Sequence, residues 1–152
     1  MPTKTNPVLT MLKDDHKKVK GLFEEYKGAN PRKQQEIADT VIHELEVHAA
    51  LEEALIYPAI REQIDEEDLM NEATEEHHLV HVLIAELKKL DRTEETFKAK
   101  FTVLGELVKH HVKEEEGEMF PKARKAEIDW ETLSAEVEER KEHLTAKLTA
   151  RS

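Results

Sequence analysis

The sequence predicts an all-α protein, an up-down antiparallel four-helix bundle with a kinked second and fourth helix and an additional C-terminal helix. Three observations carry this expectation. Charged residues make up 38% of the 152, aromatics 5%, and there are only four Gly and five Pro, a balance that favours long exposed helices over strands and turns. Apolar residues recur at alternating three- and four-residue steps, the mark of an amphipathic helix. Finally, one helical pattern occurs twice. VHAALEEALIYP at 47–58 and HHVKEEEGEMFP at 110–121 each carry His-x-x-x-Glu-Glu, an aromatic nine residues after the His, and a Pro ten residues after it. A second pattern precedes each copy, DDHKKV at 14–19 and EEHHLV at 75–80. The chain therefore reads as two similar helix pairs offset by about sixty residues.

The elements follow in order. Asn6-Pro7 supplies a capping residue and a Pro at the first helical position; Leu9, Leu12, His16, Val19, Phe23 and Tyr26 then form one stripe. Gly28-Ala29-Asn30-Pro31 separates the first helix from the second, which runs towards Tyr57 with Ile37, Val41, His48, Glu52 and Leu55 inward. Pro58 removes a backbone donor and is expected to kink or end the helix just beyond Glu52. An acidic run at 65–68 leads into a third helix, which reaches about Leu90 and carries His77 and His81 on one face. Asp91-Arg92-Thr93 breaks the chain, with Thr93 the expected cap of a fourth helix carrying Phe97, Phe101, Leu104, Val108, His111 and Glu115. Asp129 caps a last helix whose Leu133, Val137, Leu144 and Leu148 suit packing along the outside of the bundle. The expected organisation is a single domain over 1–152, with the bundle at about 8–127 and the last helix at about 129–150.

Composition narrows the function. The absence of Cys excludes disulfides, Cys-zinc sites and thiol chemistry. A net charge of −11 repels nucleic acid and anionic membrane surfaces and attracts cations. MPTKTNPVLTM lacks the apolar core of a signal peptide, and no run approaches a membrane span; the expected location is the cytoplasm.

Residues four apart on a helix stack about 6 Å apart on one face, so each His and the Glu four positions on can reach one ion. The inward polar positions are His16; His48 and Glu52; His77 and His81; His111 and Glu115. Mid-helix residues of four antiparallel helices converge in the core. Seven polar or ionisable groups buried together without a metal would cost many kcal/mol in desolvation. Two carboxylates with several imidazoles suit a pair of iron or manganese ions bridged by carboxylate; zinc, which takes about four ligands, suits the set less well. Other polar residues are assigned elsewhere. Glu53, about 100° around the helix from Glu52, is read as part of a solvated face. His43 and Glu44 are read as non-ligands, with Glu44 the better placed to support a ligand. His78 is read as a surface or supporting residue, His110, which aligns with Val47, as a non-ligand, and His143 as a surface residue.

This set resembles the haemerythrin-like family, specifically its HHE cation-binding domains, over about residues 8–127. The family pattern is His, then His-x-x-x-Glu, then His-x-x-x-His, then His with a carboxylate four or five residues later. The resemblance implies that His77, His81 and His111 hold one iron and His16 and His48 the other, with Glu52 and Glu115 bridging beside an oxo or hydroxo group. The second iron then keeps an open position for dioxygen. The final carboxylate, Glu115, lies four residues after its His, the HHE-type arrangement, and many HHE proteins lack the counterpart of His81. Three functions follow as expectations. The first is binding of dioxygen, nitric oxide or peroxide for storage, delivery or sensing. The second is catalase-like or nitric oxide-reducing turnover, and the third is iron handling.

Overall fold

The computed structural model describes residues 6–151, with side chains to residue 147; residues 1–5 of the N-terminal segment, and the packing expected of Leu148, lie outside the described residues. The main helices are α1 (Pro7–Gly28), α2 (Pro31–Leu51), α4 (Glu67–Lys88) and α5 (Glu95–Glu114). Short α3 (Tyr57–Gln63) and α6 (Phe120–Lys125) continue α2 and α5, and α7 (Trp130–Arg151) closes the chain. The starts of α1 and α2 follow the expected chemistry. Asn6 and Asn30 accept from the backbone N–H of Leu9 and Lys33 at 3.1 and 2.9 Å, and a Pro occupies the first turn of each. Asp129 accepts from Thr132 N–H at 3.1 Å ahead of α7. Thr93 does not cap α5 as expected. It lies in the preceding turn, its N–H and hydroxyl both donated to Asp91, and Glu94 precedes the helix.

The two repeated Pro residues act differently from simple helix ends. In front of each, the chain widens into one π-helical turn, Glu52–Ile56 and Glu115–Met119, with Tyr57 N–H bonded to the Glu52 carbonyl and Phe120 N–H to that of Glu115. Pro58 and Pro121 have no N–H to give the residue four back, and an α-helical turn would press their rings on that carbonyl. A wider turn absorbs both defects by bonding across five residues. The interruption therefore begins at the Glu of each motif rather than beyond it.

Two apolar layers fill the bundle. One contains Leu9, Leu12, Leu51, Ile56, Met70 and Phe120; the other contains Val19, Val41, Ile84, Phe97, Phe101 and Leu104. His16, His48, His77 and His111 fall between these layers along their helices, as a buried polar stratum with Glu52 and Glu115. α7 lies across α1, α2 and the first π turn, adding Leu133 and Val137 to the first layer. Its Lys141 reaches Asp15 at 3.6 Å. On α5, Gly105 permits a close approach, because a Cβ there would stand 3.0 Å from the Phe23 ring. No helix among the described residues is long and apolar enough to cross a membrane.

Phe101 is fully buried in the layer away from α7 and packs against Phe23, Tyr26 and Phe97. Phe101→Ala is expected to lower unfolding free energy by about 3–5 kcal/mol in urea titrations, with the metal content of the folded protein unchanged. Loss of metal along with stability would place this layer in the support of the polar stratum.

Candidate metal centre

Six of the seven residues expected to bind metal converge. Their donor atoms form two groups, His16, His48, Glu52 and Glu115 in one and His77, His111, Glu52 and Glu115 in the other, the atoms of each within 4.8 Å of one another. Both carboxylates belong to both groups. The Nε2 atoms of His16 and His48 stand 3.3 Å apart, and those of His77 and His111 3.2 Å. Two nitrogens about 2.1 Å from one ion in adjacent positions stand roughly 3.0–3.4 Å apart, so either pair can chelate.

The orientation of the rings comes from a second set of carboxylates, and it follows the repeat. His16 Nδ1 meets Glu116 at 2.6 Å, and His77 Nδ1 meets Glu53 at 2.8 Å. His48 Nδ1 meets Asp15 at 3.2 Å, and His111 Nδ1 meets Glu76 at 2.7 Å. A carboxylate at Nδ1 holds the proton on that nitrogen and turns the Nε2 lone pair towards the centre, as second-shell partners of metal-bound His do. Glu53 is thus not an idle member of a solvated face; it leans across to α4 and binds His77 and His81. Glu44, favoured as a supporting group, instead pairs with Lys18 at 2.8 Å, away from the centre.

His81 is the residue the structure does not bring in. Its side chain is 45% exposed and its Nε2 meets Glu53 at 2.7 Å. Tyr57 occupies the centre beside the second His pair. Its hydroxyl donates to Glu115 and lies 3.2 and 3.1 Å from Nε2 of His77 and His111. On an ideal α-helix a residue nine positions after His48 points about 180° away; the extra residue in the π turn swings Tyr57 inward. The repeated aromatic-Pro step was the available signal. The counterpart, Phe120, stacks on His16 at a centroid distance of 6.1 Å and brings no donor.

The donor set fits a cation on its own chemistry. Glu52 is fully buried, and neither of its oxygens nor Glu115 Oε1 has an aligned hydrogen-bond partner, although His77 Nε2 is 3.0 Å from Glu52 and His16 Nε2 is 3.3 Å from Glu115. Acceptors that face one another in a dry interior need positive charge between them. Without metal, protons take that role. Burial pulls His48 down, but the charge of Glu52 and hydrogen bonds to Asp15 and Glu52 outweigh it and raise its pKa to about 10. For His77 the same opposition, with Glu52 and Glu53 prevailing, gives about 8. Glu115, Glu52 and Glu76 push His111 up to about 12 against its burial. Glu52 stays well below the usual carboxylate range, because His48 and the neighbouring imidazoles outweigh its desolvation. Burial, reinforced by Glu52 and Glu115, keeps the Tyr57 phenol protonated far above its ordinary range.

Fold and centre together define a helical bundle with a buried cation-binding site of His and Glu. Residues 8–123 match the Hemerythrin HHE cation binding domain, and the chain belongs to that family. A hemerythrin HHE cation binding domain-containing protein from Mycobacterium kansasii has a similar structure, with a TM-score of 0.76 and 23% identity over 92% of this chain and 88% of that one. A DNA nickase of Nostoc sp. is 31% identical over 115 residues. That match takes in 75% of this chain, which spans only 32% of the length of the nickase.

The raised His values predict opposite pH responses for the two forms. In metal-free protein the His contribution is complete below the unfolded value of about 6.5 and is lost as pH rises through about 8 and then 10. The Glu52 contribution is complete above the unfolded value of about 4.5 and is lost as pH falls. Metal must displace the imidazole protons, roughly three at pH 7. The Tm difference between metal-loaded and chelator-stripped protein is therefore expected to widen from pH 6 to pH 8.5, with proton release on loading in weakly buffered solution. A difference that is flat or narrows over this range would count against a metal at these imidazoles.

Proposed function

We propose that this protein is a non-haem di-iron protein that binds dioxygen, or nitric oxide or peroxide, at a carboxylate-bridged site for storage, delivery or sensing. The observation that carries this reading is the sharing of Glu52 and Glu115 between two donor groups, each with its own pair of Nε2 atoms. Such a mixed nitrogen and oxygen set suits iron better than zinc, with manganese the weaker alternative. When bound, a pair of iron ions supplies an exchangeable coordination position and two electrons.

The chain's own residues make the two halves unequal. Around His77 and His111 the Tyr57 oxygen adds a further donor, whereas around His16 and His48 the matching position is the carbon ring of Phe120. The small ligand is accordingly assigned to the His16 and His48 side. Phe120 keeps protein donors out of that position, and its layer of Leu12, Leu51 and Met119 limits water. In this reading nucleic acid is not a partner, since a net charge of −11 opposes it.

Tyr57 favours a second reading, catalase-like conversion of two peroxide molecules to two of water and one of dioxygen. Its phenol O–H, donated to Glu115 inside the centre, would be the proton nearest a bound peroxide.

Metal analysis with the visible spectrum tests the first reading. Two irons per chain and an oxygenated spectrum that reverses under vacuum are expected, with Glu52→Ala or Glu115→Ala left well under two metals. His81→Ala should keep both ions, because its Nε2 is bonded to Glu53 and not turned to the centre. Phe120→Tyr should retain metal but weaken nitric oxide or azide binding, by bringing a phenol to the open side. A full metal complement in Glu52→Ala, or unaltered ligand binding in Phe120→Tyr, would sink the assignment. Oxygen evolution from peroxide that falls by about 10²-fold or more in Tyr57→Phe would establish the enzyme instead.

A further inference from the structure

The repeat that builds the centre also relates two outer faces, and these have diverged. In the first helix pair the outer face carries Val47 and Leu51, buried under α7, and Asp15, whose second oxygen takes a cation, Lys141 Nζ at 3.6 Å. Stepping through the repeat, Asp15 becomes Glu76, Val47 becomes His110 and Leu51 becomes Glu114. Among the described residues no helix like α7 covers this second face, and no Lys or Arg pairs with Glu76 or Glu114. Two apolar positions of the docking strip have thus become a His and a Glu, beside a carboxylate that both faces keep.

Their geometry is that of a small chelate. His110 Nε2 lies 3.2 Å from Glu114 and 3.5 Å from Glu76 Oε2, and one donor atom from each residue falls within a 4.8 Å cluster. His110 and Glu114 are one turn apart on α5, the His-x-x-x-Glu spacing that lets two side chains reach one ion. Glu76 arrives from α4. Its other oxygen, Oε1, meets His111 Nδ1 at 2.7 Å, so one carboxylate faces the buried centre with one oxygen and the surface group with the other. The counterpart Asp15 does the same with His48 and Lys141.

We propose that Glu76, His110 and Glu114 form a surface site for a divalent transition-metal ion, outside the buried centre and joined to it through Glu76. One imidazole and two carboxylates leave about half the coordination positions to water, which suits exchangeable binding of Mn²⁺, Fe²⁺ or Zn²⁺ rather than permanent retention. The ion would take the place at Glu76 that Lys141 takes at Asp15.

The test begins with full-length protein whose tightly bound metal has been counted. Mn²⁺ is then titrated in, with equilibrium dialysis for stoichiometry and NMR for the His ring signals. One additional, readily removed ion per chain is expected, with the His110 signals broadened before those of His43, His78 and His143. His110→Ala and Glu114→Gln should each weaken this ion by at least about tenfold, and the double variant should abolish it, while the tightly bound metal and the helical circular dichroism stay as in the parent. No extra ion at millimolar Mn²⁺ would overturn the proposal, as would an extra ion of unchanged affinity in the double variant. Because the tightly bound metal is counted first, failure here is distinguishable from failure of the buried centre.

Discussion

The structure depends on one electrostatic constraint: two buried carboxylates and four imidazole nitrogens all present electron pairs to the same small volume. Such a layer is unfavourable in an apolar interior unless a cation or protons fill it. The apolar layers on either side supply burial that offsets this, and they also keep water from relieving the charge. The four outer carboxylates complete the arrangement by fixing which nitrogen of each ring faces inward. None is wholly buried, so each retains solvent on one side. Charge therefore alternates outward from the centre, with cation, acceptor ring, bound proton and carboxylate in succession.

Much of this was legible in the sequence because helices translate spacing into position. The stripe from Leu9 to Tyr26, the His-x-x-x-Glu pairs and the recurrence of both motifs depend only on 3.6-residue periodicity and on which residues tolerate burial. They place His16, His48, Glu52, His77, His111 and Glu115 at mid-bundle without knowledge of tertiary contacts. Asn6 and Asp129 were readable as caps for a similarly local reason.

What escaped depends on departures from that period or on reach between helices. Tyr57 sits on the back of an ideal α2, and only the π turn brings it round. Pro58 announced a disturbance there, but not its width or the direction in which the chain would turn. Glu53 was placed correctly around its helix and misjudged in role, because a side chain leaving one helix obliquely can end against the next. His81 illustrates the reverse. Spacing sets it in line with His77, yet the ring lies at the bundle surface, where Glu53 offers it a hydrogen bond. Thr93 failed for a local reason, since Asp91 competes for its N–H and forms a turn first.

The supporting contacts cross between the repeats. Glu53, from the first helix pair, orients His77 in the second, and Glu116, from the second, orients His16 in the first; Tyr57 and Phe120 also lie against the opposite pair. Neither hairpin can thus assemble half of the centre by itself. Two identical hairpins associating about a dyad, however, would satisfy every crossing contact twice over. Such a symmetric pair of hairpins, with its donor groups on the boundary, is the simplest arrangement that shares these contacts. In a single chain each copy can vary alone, and a tyrosine on one side with a phenylalanine on the other makes two otherwise equivalent donor groups distinguishable.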